Sequence, residues 1–410
     1  MIVKPKQLLL VLFAWVSLFG ALNPVFSQTW TNTSAPYGLW SSIASSADGS
    51  KLVACQVEPD IAGIYTSTNS GTTWTSNNVV TDRQQWLSIA SSADGTKLAA
   101  VAGMGQIYTS TNAGATWVSN SPSMGWWNSV ASSADGTKLV AVASSNLIYT
   151  STDTGATWTS NTTVMDTQSW HFVASSADGS KLAIAAYQGM IYLSTNSGTT
   201  WTTAVSVPST NWEAIVSSAD GTRLAAIAQS GLVYTSPDSG TTWVSNSLPA
   251  GQWTSIASSA DGSKLVAAAC NDSSGGAGWI YVSTNSGTTW TLNASGNNYW
   301  GFVASSADGS ELVGLFGSGV SDGAVIVLYG GIYASQTTPS PQLNLTPSGS
   351  NLTATWIIPS TNFVLQQNLD LTTTDWTNVT NPPALNLTNL QDKVVLSSTN
   401  GSGFYRLKTP

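Results

Sequence analysis

One short block, written seven times, constrains this chain more than any other feature. It reads W-x-S-I/V-A-S-S-A-D-G-S/T-K-L, or a near copy, and begins at Trp40, Trp86, Trp127, Trp170, Trp212, Trp253 and Trp300. Successive starts lie 46, 41, 43, 42, 41 and 47 residues apart. A near-constant period of this length marks a repeat architecture, and about 40–50 residues per unit suits one four-stranded propeller blade. Each unit holds four short strand candidates, rich in small and β-branched residues, and no helical stretch. The expected fold is all-β: a seven-bladed β-propeller of four-stranded blades.

Within a unit, the first two strand candidates are joined by Asp-Gly, a hairpin signal in which both turn positions need positive φ. The last two are joined by S-x-D/N-x-G-x-x-W, at Ser67 to Trp74, Ser110 to Trp117, Ser151 to Trp158, Ser194 to Trp201, Ser236 to Trp243 and Ser283 to Trp290. This second pattern resembles the Asp-box, or BNR, repeat of sialidases, sortilin-type receptors, xyloglucan-degrading hydrolases and photosystem II assembly-factor propellers. The resemblance implies a structural turn. The Asp or Asn side chain is expected to bond backbone amides two residues on, the Gly to be left-handed, and the Trp to cover the turn. The slot holds Asn69, Asn112, Asp153, Asn196, Asp238 and Asn285. Asn in four of six boxes suits a turn, and suits a metal site or a catalytic acid poorly. No metal or cofactor is expected.

The seventh unit reaches Ile332 to Ser335 without an Asp-box Trp, while Thr29-Trp30-Thr31 stands before the first unit as an orphan copy of that strand. The N-terminal strand is therefore expected to complete the last blade, which removes two free edges. Residues 1–27 have a basic start, an apolar run from Leu8 to Ala21 and small residues near the exit, the layout of a signal peptide. The propeller is expected over 28–335, a Pro/Ser/Thr linker over 336–343, and a small β-sandwich over 344–410. That last module resembles one at the C-terminus of exported proteins of environmental bacteria. These features place the protein outside the cell or in a bacterial envelope, with no membrane span in the mature chain and a monomer as the expected state.

Only 8% of residues are charged and the net charge is −8. So few cations argue against nucleic acid, whose binding requires phosphate-neutralising Lys and Arg. Cys55 and Cys270 fall in units one and six, too far apart for a disulfide, and are expected as separate buried thiols. The chain has three arginines, Arg83, Arg223 and Arg406. Sialidases bind their substrate carboxylate with an arginine triad; Arg223 stands in the repeat's Lys slot and Arg406 in the C-terminal module. Only Arg83 is left for a pocket, and sialidase chemistry does not fit.

Other glycoside hydrolases use two carboxylates about 5–9.5 Å apart. Seven aspartates belong to Asp-Gly turns, two to Asp boxes, and Glu311 replaces the repeat Lys, which leaves Glu58, Asp60, Asp82, Asp166, Glu213, Asp272 and Asp322 in the propeller. All fall in connections on one face of the disc, the face opposite the Asp-Gly turns, here called the near face. The position after each leading Trp varies: Ser41, Leu87, Asn128, His171, Glu213, Thr254, Gly301. His171 and Glu213 come from adjacent blades and, with Asp166, are the candidates for acid–base catalysis; the plainer reading is a polar pair at the channel mouth. The candidate ligand-binding set is Tyr37, Arg83, Trp126, His171, Glu213, Asp272, Trp279 and Tyr299, since aromatic faces suit sugar rings or peptide. The expected function is non-catalytic binding of a glycan or a protein on the near face. The alternatives are a glycoside hydrolase and a purely structural or adhesive protein.

Overall fold

The computed structural model describes residues 29–57, 63–77, 85–119, 125–144, 147–161, 169–248, 252–269, 278–296, 299–321, 326–336, 343–348, 351–357, 364–368, 376–380, 383–386, 391–396 and 404–408. The expected leader over 1–27 and most of the expected linker lie outside the described residues. Five units form separate four-stranded antiparallel sheets from consecutive strands, and units seven and one are joined into one eight-stranded sheet. Blade two is representative, with inner strand Trp86–Ser91, second strand Leu98–Ala102, third strand Ile107–Ser110 and outer strand Val118–Ser119.

The second strands are buried along their whole length, as in Leu52–Gln56, Leu139–Ala143 and Leu265–Ala269. Both faces of each blade press on neighbours, so these strands read as continuous apolar runs instead of alternating. The core is correspondingly divided into slabs between blades: Ala90, Ala99, Val101 and Ile107 of blade two meet Trp127, Val130, Leu139 and Ala141 of blade three. Each leading Trp is buried, and in blades one to six it meets the third-strand Tyr of its own blade edge-on, as Trp86 does Tyr108 with centroids 5.1 Å apart. Removing such a Trp would cost about 3–5 kcal/mol. The Asp-box tryptophans are less enclosed: Trp117 is buried, and Trp74, Trp158, Trp201, Trp243 and Trp290 are half-buried lids.

The inner strands end in a ring of backbone bonds. Ala47 N donates to Ala93 O, Ala93 to Ala134, Ala134 to Ala177, Ala177 to Ala219, Ala219 to Ala260, Ala260 to Ala307, and Ala307 back to Ala47, all at 2.6–2.8 Å. Seven bonds return to their start, and the disc is closed. These alanines sit in the Asp-Gly turns, whose geometry differs from the two-residue hairpin expected. Gly49 N bonds Ser46 O at 3.0 Å, and of Asp48 and Gly49 only the glycine has positive φ, at 72°. Ala47 and Asp48 are thus the centre of a four-residue turn with Gly49 as its left-handed exit. The Asp48 carboxylate fixes it by accepting from Ser46 Oγ and from Ser50 N.

A second set of contacts bridges the same blades. Lys51 Nζ reaches Asp94 O at 2.7 Å, Lys97 reaches Asp135 O, Lys138 Asp178 O, Lys181 Asp220 O, Arg223 Asp261 O, and Lys264 Asp308 O. The stems of these cations cross the turn glycine of the next blade, as Lys51 does Gly95. The Asp box also departs from expectation. Asn69 Oδ1 accepts from the amide of Thr73, four residues on and not two, while Ser67 Oγ accepts from Gly71 N. Trp74 Nε1 then donates to Gly71 O.

At the seam, Thr29–Asn32 pairs with the end of the blade-seven strand Ile326–Gln336, from Thr29 opposite Gln336 to Asn32 opposite Tyr333. The chain then rejoins the same edge, with Gly38, Leu39 and Trp40 opposite Gly330, Tyr329 and Leu328. Over Gly317 to Tyr329 the blade-seven strands run on past the length of those in the other blades, Glu311–Ser321 and Ile326–Gln336 pairing from Glu311 opposite Gln336 to Ser321 opposite Ile326. Gly317 and Gly330 allow this, because a Cβ on either would collide with the opposing backbone. In the C-terminal module the sheets Asn344–Ser348, Asn351–Ile357, Gln391–Leu396, Ala384–Asn386 and Thr377–Asn378, Val364–Asn368, Phe404–Lys408 share one core. Trp356 lies in it with Leu365 and Val394, and Arg406 covers Trp376 at 4.2 Å. Cys55 is a free, buried thiol pushed up to about 12 by burial, and Cys270 lies outside the described residues.

The seventh bridging position is Glu311, lying against Gly49 and Ser70 of blade one. Burial, then the carboxylates of Asp308 and Asp48, push its carboxyl up to about 7. A raised folded-state pKa means stability is fully present below the ordinary value of 4.5 and is lost as pH rises through about 7. Glu311→Lys, which restores the cation of the other six seams, should therefore stabilise the fold at alkaline pH by about 1–2 kcal/mol, the shift being discounted for partial exposure. Glu311→Gln should flatten the loss of stability between about pH 5 and pH 8 in urea unfolding; a profile as steep as the parent's would contradict the assignment.

Candidate functional site: a ring of bulges on the near face

Every inner strand slips register just after its leading Trp, between Trp40 and Ser42, Trp86 and Ser88, Trp127 and Ser129, Trp170 and Phe172, Trp212 and Ala214, Trp253 and Ser255, and Trp300 and Val303. The residue left out of the ladder is the variable one: Ser41, Leu87, Asn128, His171, Glu213, Thr254, and in blade seven both Gly301 and Phe302. A bulge frees its side chain from the in–out alternation and re-aims it. That is why this position varies while its neighbours repeat.

Three of these side chains clasp the next blade. Ser41 Oγ donates to Trp86 O at 2.6 Å, Asn128 Nδ2 to Trp170 O at 2.6 Å, and Thr254 Oγ1 to Gly301 O at 2.5 Å. The serine just past the bulge accepts from the following blade as well, as Ser42 Oγ does from Ile89 N at 3.2 Å.

His171 and Glu213 take no such role. His171 stacks on Tyr187 of its own blade, with centroids 4.8 Å apart and planes 19° apart. Burial lowers its pKa, so the ring is neutral at pH 7. Burial alone pushes the Glu213 carboxyl up to about 7. Burial is the cause of both shifts, and neither has the other group among its causes.

Around this ring lie exposed apolar side chains. Tyr37 is 64% exposed, Trp126 58%, Met104 59% and Tyr329 52%. Gly105 and Gly125 exchange backbone bonds at 3.3 and 3.1 Å. Met104 precedes the first and Trp126 follows the second, so both flank one bridge between blades two and three. The corresponding bridge between blades four and five joins Gly189 and Thr210 and is flanked by Gln188 and Asn211. Among the described residues, the first bridge is thus flanked by exposed apolar side chains and the second by polar residues.

The other residues of the sequence-derived set divide. Trp279 is half-buried against blade six's core, and Tyr299 is half-buried against the slab between blades seven and one. Arg83, Asp166 and Asp272 lie outside the described residues, as do Glu58, Asp60, Asp82 and Asp322. Met104 and Tyr329 were missed, because their position depends on which loops pair, a relation no single repeat spells out. Among the described residues no group of three His, Cys, Asp or Glu side chains is placed to hold a metal ion. Among the described propeller residues every Lys and Arg belongs to the bridging set on the opposite face.

No family model matches the chain, and no curated protein does. Solved structures do. A structure titled YCF48 bound to D1 peptide shares 14% identity with a TM-score of 0.57, covering 76% of this chain and 97% of that one. YCF48 from Cyanidioschyzon merolae shares 16% identity with a TM-score of 0.55, covering 75% and 98%. The GH74 xyloglucanase from Xanthomonas campestris shares 15% identity with a TM-score of 0.57, covering 80% of this chain and 59% of that one. The chain has the fold of these propellers. At such identities the likeness carries the fold alone.

His171 is the only histidine, so its imidazole proton signals are unambiguous in NMR. Its midpoint should fall below the ordinary 6.5, and Glu213→Gln should leave it within about 0.3 units. A displacement of a unit or more would show that the two groups do form a couple.

Proposed function

We propose that this protein is an exported, non-catalytic binding propeller that engages a glycan or a protein segment across its near face. The observation that carries the reading is the exposed pair Met104 and Trp126, on the face where bulges leave His171 and Glu213 without a bond to the next blade. The apolar pair at the bridge between blades two and three supplies stacking surface, and the polar residues at the bridge between blades four and five supply hydrogen bonds for orientation. With His171 neutral and Glu213 half-protonated at pH 7, the described part of the site offers little net charge. An uncharged sugar chain or an extended peptide fits that chemistry better than an anion does. The fold likeness to a structure with a bound peptide and to a xyloglucanase is compatible with either ligand. Residues 1–27 serve as the leader in this reading, and the module after the linker is carried outside the cell with the propeller.

One observation favours a second reading. A carboxyl held near pH 7 by burial is the state a general acid needs, and Glu213 is in that state. Glycoside hydrolysis needs a second carboxylate across the scissile bond, and the described near-face residues supply none; Glu58, Asp60, Asp166 and Asp272 are the remaining sources.

Glycan and peptide arrays, with hydrolysis assays on every hit, separate the two. Trp126→Ala combined with Met104→Ala should weaken binding by about tenfold or more. Because both side chains are exposed, the melting temperature should move by no more than about 2 °C. Unchanged binding would remove the apolar arc from the site. Turnover that Glu213→Gln abolishes would replace the binding reading with the hydrolase.

A further inference from the structure

On the face opposite the near face, the axial channel opens through a collar made by the Ser-Ser-Ala of all seven blades, enclosing a cavity of about 180 Å³. The collar has an unusual hydrogen-bond balance. The first serine of each triplet donates its hydroxyl proton to the carbonyl of the next residue at 2.9 Å, as Ser45 Oγ does to Ser46 O and Ser132 Oγ to Ser133 O, and the pattern holds in all seven blades. The second serine donates to the turn aspartate and accepts from the backbone amide five residues on. The alanine amides and carbonyls are engaged in the closing ring. Every donor in the collar is thus used. What remains are lone pairs on the first serines, since a hydroxyl oxygen that donates once can still accept twice.

Carboxylates surround the collar, each of five with a Lys or Arg of the preceding blade beside it. Burial acts to raise the carboxyls of Asp94, Asp135, Asp178, Asp220 and Asp261, but hydrogen bonds from the neighbouring Ser and Thr outweigh it and hold them below the ordinary range. They are ionised at neutral pH. The six Lys and Arg of this face have their donor groups directed at the next blade's Asp carbonyl, outside the triplets that line the cavity.

We propose that this collar is a binding site for a compact cation that carries its own N–H donors: an ammonium group, either free or at the tip of a lysine side chain. An anion would meet only acceptors. A quaternary ammonium, which has neither N–H donors nor a bare charge for the oxygens to coordinate, would leave the serine lone pairs unmatched. The site lies away from the near face and does not depend on the reading given above for that face.

The test uses the full chain and compares methylammonium with tetramethylammonium chloride at equal concentration, following melting temperature and heat of titration. The two ions share a charge and differ in N–H donors. A saturable stabilisation by methylammonium that tetramethylammonium does not reproduce is the expected result. An equal response to both, or to neither, would overturn the proposal, and it needs no variant to do so. In Ser132→Ala/Ser217→Ala, two acceptors are lost and methylammonium affinity should fall about threefold or more; unchanged affinity would also overturn it. A short capped peptide with one lysine, set against its Nζ-acetylated form, distinguishes the sources. Tighter binding of the lysine peptide than of methylammonium points to a partner's side chain, and weaker binding to a free ion.

Discussion

The closing ring of alanine amides is the constraint on which the other features depend. Each bond is an ordinary peptide hydrogen bond, worth about 1 kcal/mol net. Their circular arrangement matters more than their sum, because each blade's position is fixed from both sides. Alanine suits the position: five of the seven alanines are buried and the other two half-buried around the axial channel. A larger side chain there would push the inner strands outward. The slabs between blades would then lose the contacts that bury each leading Trp.

With that ring in place, the two faces become chemically different. On the Asp-Gly face the template is repeated closely, so at six junctions a cation bridges to the next blade's Asp carbonyl while each carboxylate holds its own turn. On the near face the inner strands bulge, and the template stops specifying one residue per blade. Three blades use the freedom to strengthen the disc, through Ser41, Asn128 and Thr254. Leu87, His171 and Glu213 do not, and the same face carries the exposed Tyr37, Met104 and Trp126. A scaffold whose template leaves one position per blade unspecified has a place to put a site without loosening its core.

Much of the fold was legible because it is periodic. The leading tryptophans announce the blades, and the orphan Thr29-Trp30-Thr31 announces the strand that completes the seventh. The closing strand could be foreseen because one copy was missing at one end and supernumerary at the other. The turns were legible only in outline. Asp-Gly suggested a two-residue hairpin, yet the serine before Ala47 and the one after Gly49 recruit the aspartate into a wider turn. In the Asp box the amide that Asn69 reaches is set by the left-handed pair Ser70 and Gly71, a conformation no residue type announces by itself. The candidate site was legible as variation after each Trp. Its apolar partner Met104 was not, since its role comes from a bridge between two loops of different blades.

The seam shows what a repeat chain must do where it cannot repeat. Blade seven lacks an Asp box of its own; its serine, Ser335, is buried with its hydroxyl unmatched, whereas Ser67 and its counterparts each hold a glycine amide. It also lacks the bridging cation, with Glu311 in its place. Two template contacts are thus missing at the junction where the two ends of the ring meet. What replaces them is backbone: the long blade-seven strand is paired along one edge by its neighbour and along the other by Thr29–Asn32 and then Gly38 to Trp40. Backbone pairing is indifferent to side-chain identity, requiring only close approach, which Gly317 and Gly330 provide. The seam is therefore held by strand length where the other six are held by composition, and it is the junction whose strength varies with pH, because Glu311 titrates where the others carry a fixed cation.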